Sequence, residues 1–227
     1  MAEPLRTTPL PYDIRRSDRA RRIRVAVEHD GRVVVTLPAR ARERDAAAAV
    51  AELRGWIDRR RDEAAARRAA LAGTPGTVPY LGTELTLIPE PGRTRVHRRG
   101  DALLVPAGEA AGAAIERFYR RVARAEIAPR VEAATAAVGR ACTKLTIRAQ
   151  RTRWGSCSST GALSFNWRLL LAPEPVLDYV VWHEACHLVV MDHSARFWAL
   201  VEHHLPTYRE QQRWLRRHGS ALVLPTL

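Results

Sequence analysis

The feature that most constrains this chain is the hexad Trp182-His183-Glu184-Ala185-Cys186-His187. Its flanks, Val180-Val181 and Leu188-Val189-Val190, are apolar, so the stretch from Val176 to Val190 predicts a helix buried on most sides. Residues four apart in a helix sit one turn above each other on the same face, and His183 and His187 therefore present two imidazoles to one point. Glu184 lies about 100° round from His183, close enough to reach a water held there without being a ligand. Burying two imidazoles and a carboxylate side by side is costly unless a metal ion or hydrogen bonds compensate. The HExxH pattern thus predicts one Zn2+ ion with an open position, where the pKa of bound water falls toward about 7. Glu184 is the expected general base, taking a proton from that water and returning it to the leaving group.

A third ligand is needed, and two residues compete for the place. His193 follows His187 by six positions, about 120° off the metal face if the helix ran on. The helix must therefore end near Val190 or Met191 and the chain must turn back. Asp192 tolerates such a turn, and Ser194 is an acceptable N-cap for a new helix. Glu202, on that next helix, is the alternative, and the adjacent pair His203-His204 is expected to be exposed. The metzincin spacing is excluded: Val190 stands where it needs Gly, and no methionine follows Met191.

The rest of the chain alternates between strand and helix signals. Ile23, Val25 and Val27, then Val33, Val35 and Leu37, form two period-2 runs around Asp30-Gly31, which predicts a hairpin. Ala46, Ala49, Val50, Leu53, Trp56 and Ile57 predict one helix over 45–71. Short strands are expected over 81–88 and 102–105. A long helix is expected over 109–138, kinked or split at Pro129. Leu145–Cys157 and Ala162–Leu170 read as two strands joined by the turn Ser158–Gly161. After the buried helix, two short helices are expected, one from Ser194 and one from Thr207, whose spacing to Glu210 is that of a capping box. The expected fold class is α+β. An N-terminal β-rich segment with a long helix (1–108) precedes a zincin-like half (109–227) of β-hairpin, HExxH helix and two short helices. The two could also form one continuous domain.

Composition bounds the partners. Among 227 residues, hydrophobic types make up 46% and charged types 27%, an ordinary globular balance. No apolar run approaches the roughly 20 residues of a membrane span, and the first ten residues lack a signal-peptide pattern. Three cysteines are too few for a disulfide framework. A cytoplasmic protein with no membrane partner is expected. Lys+Arg of 37 against Asp+Glu of 24 gives a net charge of +13, a balance that suits nucleic acid or phosphorylated substrates. Lys144 is the only lysine, however, and the arginines are dispersed among alanines from Arg6 to Arg217, the pattern of solvated helix faces.

Several motifs taken together are more specific than HExxH alone. Arg151-Thr-Arg-Trp-Gly-Ser-Cys157, Asn166-Trp-Arg-Leu169, Leu177 to His187, His193-Ser-Ala-Arg-Phe-Trp198 and Trp214-Leu215 closely resemble the YgjP-like family of metal-dependent hydrolases. That family is grouped with SprT-like and other HExxH zinc metallopeptidases. The resemblance is dense over about residues 110–219 and thinner over the N-terminal hairpin and Pro79-Tyr-Leu-Gly82. It implies His183, His187 and His193 as metal ligands and Glu184 as base. Asp192 departs from the family's usual Asn.

The Arg151–Cys157 stretch admits two readings. If it is a strand, Arg151 and Arg153 share a face and could bind a substrate carboxylate or phosphate, or stabilise an oxyanion. Otherwise Trp154 is core and the arginines pair with local acids such as Asp178 or Glu184. Cys157 and Cys186 read as buried structural thiols. The expected function is that of a zinc-dependent metallopeptidase acting on a peptide or protein substrate. The alternatives are a hydrolase of nucleotides or other phosphoanhydrides, and a DNA-associated SprT-like protease. The chain shows no zinc ribbon or basic tail to favour the last.

Overall fold

The computed structural model describes residues 10–28, 31–71, 74–150 and 153–225. The chain forms two compact units, Met1–Ala70 and Leu71–Leu227. The first holds β1 (Tyr12–Ser17), β2 (Arg24–Val27), β3 (Val33–Pro38), α1 (Glu43–Glu52) and α2 (Arg54–Leu71). β2 and β3 form the expected antiparallel hairpin, with Val25 opposite Val35. Gly31 takes a positive φ of 84° in the turn, and Asp30 lies outside the described residues. β1, which lacks an apolar alternation strong enough to announce it, adds in parallel on the other side of β3. Val33, Val35 and Leu37 alternate onto the face that packs with Ala46, Val50 and Ile57. The single helix expected over 45–71 is two: Leu53 turns out of helical geometry at ψ 10°, its N–H bonded to Ala49 O, and α2 restarts at Arg54.

The second unit carries β4 (Thr77–Tyr80), β5 (Thr83–Glu90), β6 (His97–Arg99) and β7 (Ala102–Pro106) in the order β4-β5-β7-β6. Val78, Leu85, Leu103 and Val105 from these strands share one core with residues of the following helices. α3 (Ala110–Ala137) runs unbroken through Pro129. Ile127 and Val131, fully buried on either side of the proline, hold the helix against the core. The missing N–H costs one backbone bond on an exposed position without ending the helix.

Three strands form the last sheet, β8 (Lys144–Arg148), β9 (Gly155–Cys157) and β10 (Ala162–Asn166), in the order β8-β10-β9. The expected strand over 145–157 is thus two pieces on opposite sides of β10, parallel and antiparallel to it. Asn166, 2% exposed, explains the interruption. Its side-chain amide donates to Gln150 O (2.7 Å) and Arg153 O (3.3 Å), and its Oδ1 accepts from Arg168 N. The same residue ends β10, where Trp167–Leu171 become a 3-10 helix instead of further strand. Then come α4 (Glu174–His187), α5 (Ala195–His204) and α6 (Tyr208–His218), with a closing 3-10 turn at Gly219–Ala221. The architecture is α+β, as expected, with six helices and three small sheets among the described residues. No described helix is long and apolar enough to cross a membrane.

Candidate metal centre

α4 begins at a proline-punctuated turn, with Glu174 in its first turn, where a carboxylate suits the helix dipole. Arg130 of α3 ties that end down, bonding Asp178 Oδ1 (3.0 Å), Glu126 and Glu174. Asp178 is therefore satisfied by Arg130. Val176, Leu177, Val180, Val181, Ala185 and Cys186 bury most of the helix, leaving His183 and His187 one turn apart at its C-terminal end.

The helix stops at His187, and the chain turns so that His187 Nδ1 lies 3.0 Å from Val190 O. Donation from Nδ1 to that carbonyl leaves the Nε2 lone pair bare, the tautomer a metal ligand needs. His193 then returns to the site. Its Nε2 is 3.1 Å from His183 Nε2, which is itself 3.2 Å from His187 Nε2. Ligands about 2.0–2.1 Å from a tetrahedral zinc stand roughly 3.3–3.4 Å apart, so the spacing fits. Burial, reinforced by its two histidine neighbours, pushes His183 down to about 3 and keeps it neutral, the form that binds a cation. Its Nδ1 is buried without a partner among the described residues. Burial likewise lowers His187. Among the described residues, these three histidines form the one group whose ligand atoms come together in this way.

Glu202, the rival third ligand, is turned away: its Oε1 accepts from Arg209 Nη1 at 2.5 Å on the surface. His203 is exposed, but His204 is only half-exposed because its ring stacks on Trp182, centroids 4.7 Å apart at 8°. Asp192 has a clear local role. The Ser194 hydroxyl, and then the Ser194 N–H that its carboxylate accepts at 3.0 Å at the start of α5, hold it below the usual carboxylate range. Ser194 occupies the N-cap position without a side-chain cap bond, and Thr207 likewise makes none, so neither hydroxyl caps as expected.

Glu184 is 6% exposed. Burial pushes its carboxyl up to about 8, against the opposing pull of the Arg153 guanidinium and a hydrogen bond from the Cys157 backbone N–H. Arg153 is exposed, whereas Arg151 lies outside the described residues. Trp154 is half-buried against the main core. Cys186 is fully buried and its thiol is pushed up to about 12; half-buried Cys157 rises to about 11. Neither thiol joins the histidine cluster.

Two residues of the site carry no signal in the spacing of the ligands. Phe197, completely buried on α5, stacks on His187 (4.3 Å, 21°) and meets His183 and His193 edge-on at 4.9 Å. It walls all three imidazoles; the sequence points to it only through its place in the His193–Trp198 motif, four residues after His193. Gly155 is the second: an added Cβ there would stand 2.5 Å from Glu184 Oε1.

Comparison with known proteins adds the family. No curated protein matches the chain. Among solved structures, the metallopeptidase zymogen abylysin of Pyrococcus abyssi aligns at 23% identity and a TM-score of 0.37, over 40% of this chain and 93% of that one. The YgjP-like metallopeptidase domain matches residues 21–218, nearly the whole chain and every residue of the histidine site. The chain belongs to the YgjP-like family of metallopeptidase domains.

Proposed function

We propose that this protein is a zinc-dependent peptidase in which His183, His187 and His193 hold one Zn2+ and Glu184 is the general base. The observation that carries the reading is the convergence of the three Nε2 atoms at 3.1–3.2 Å beside a buried carboxylate on the same helix. A bound zinc supplies Lewis-acid polarisation and lowers the pKa of water. The protein's own groups do the rest. Val190 O fixes the His187 tautomer, and Glu184, the buried carboxylate beside His183 on the same helix, is the group to accept a proton from attacking water and pass it to the leaving amine.

The peptide reading also draws on β9, an edge strand. Trp154 O and the Ser158 N–H bond across to β10, and Gly155 pairs with Phe165 in the alternate, non-bonded positions. The main chain of Gly155 therefore points away from β10, along an edge that an extended peptide can lengthen. Arg153, two residues before the strand, is the candidate contact for a substrate carboxylate or for the developing oxyanion; Arg151 is the second candidate from the sequence. The test is metal analysis of purified protein beside a panel of peptides, denatured proteins and nucleotides. Glu184→Gln is expected to keep zinc and lose hydrolysis, and His187→Ala to lose both. Full turnover by Glu184→Gln would refute the assigned base, and turnover of nucleotides alone would replace the peptidase reading.

A further inference from the structure

What holds Glu184 is a strand about thirty residues earlier in the chain. Gly155 does not sit in the left-handed region, so its backbone conformation is open to any residue; space alone sets it apart. A methyl group built on it would lie 2.5 Å from Oε1, 2.6 Å from Cγ and 2.8 Å from Cδ of Glu184. Ordinary van der Waals contact begins about 1 Å further out. Two residues along, Cys157 sits in the next non-bonded pair of β9, its N–H turned away from β10 on the edge that lies beside the same carboxylate. β9 has little freedom to retreat. Asn166 N bonds Trp154 O (2.8 Å), Ser158 N bonds Ala162 O (2.9 Å), and the Ser156 and Ser164 hydroxyls meet at 2.7 Å.

We propose that Gly155 is a positioning residue for Glu184: its bare backbone lets the carboxylate lie against β9, where the Cys157 amide holds it in aim. This deepens the assignment of Glu184 as base and rests on it. Adding a Cβ leaves the glutamate one inexpensive escape, a swing of its carboxylate by about 1 Å away from the strand. A displacement of that size costs about 100-fold in turnover when the displaced group takes part in the chemistry, while the histidines stay in place.

The test reads amide exchange at Cys157 in the full-length protein, so it does not depend on a substrate. In Gly155→Ala, protection of the Cys157 amide is expected to fall about tenfold, matching Glu184→Ala, with the Ser164 and Phe165 amides unchanged. Zinc stoichiometry stays at the wild-type value. On labelled denatured casein, if the native protein cleaves it, kcat drops about 100-fold with KM unchanged. Added to Glu184→Gln, the alanine causes no further loss. Undiminished Cys157 protection in Gly155→Ala overturns the proposal. If Gly155→Ala fails to fold, pairing it with Glu184→Gly empties the contested space and is expected to restore folding. A double variant that also fails overturns the proposal as well. An active Glu184→Gln would instead sink the base assignment and leave the exchange result to be judged by itself.

Discussion

Phe197 is the residue whose removal tests whether the histidine cluster is a built site. Its ring is wholly buried and touches all three imidazoles, stacking on His187 at 4.3 Å. Truncating a buried Phe to Ala costs about 3–5 kcal/mol. At about 2–4 °C per kcal/mol for a chain of this size, melting is expected to fall by roughly 6–20 °C. A second effect is separable from the first. With the wall gone, the imidazoles regain rotational freedom, and losing such support typically costs about 10- to 100-fold in metal affinity. Melting curves recorded with and without zinc, together with chelator competition, report both quantities. A zinc ion that binds only the folded state raises the melting temperature, and that rise should shrink in Phe197→Ala. Phe197→Leu, which keeps most of the volume, should lose less of each. Wild-type zinc affinity in Phe197→Ala, whatever its stability, would refute the idea that this ring organises the ligands.

Three further outcomes are expected. His193→Ala should abolish stoichiometric zinc, whereas Glu202→Ala, which severs only a surface pair with Arg209, should retain it; metal analysis of both distinguishes the third ligand. Asn166→Ala strips partners from Gln150 O, Arg153 O and Arg168 N and should lower stability by about 1–3 kcal/mol. An unchanged urea midpoint, with no new protease sensitivity near residue 150, would count against the clamp. Alkaline pH should unfold the second unit through its tyrosines. Burial and the hydrogen bond to Glu126 push Tyr80 up to about 12, and burial raises Tyr119 further. Unfolded tyrosines ionise near pH 10, so the unfolded state loses protons first and stability falls as pH climbs from 10 toward 12. In Tyr80→Phe, that part of the slope should disappear from the pH dependence of melting.

How far the sequence reveals this site depends on which interactions are local. His183, Glu184 and His187 are legible because one helix, read at 3.6 residues per turn, fixes their mutual placement. The turn that returns His193 is legible only indirectly, through geometry that an unbroken helix would violate; its support, the Val190 carbonyl on His187 and the Asp192 carboxylate on Ser194, shows no periodicity at all. The errors have the same origin. Pro129 carries a local breaking signal that buried Ile127 and Val131 override, and Leu145–Cys157 looks like one strand until Asn166 pulls Gln150 and Arg153 out of it. β1 is hidden because its partner, β3, comes after an intervening strand. Gly155 is the extreme case: no residue near it in the chain says why it is glycine, because the group it makes room for is on α4. A five-residue motif can therefore specify the direction in which a base leaves its helix, but the strand laid against that base, through one absent methyl group and one amide, sets where its carboxylate comes to rest.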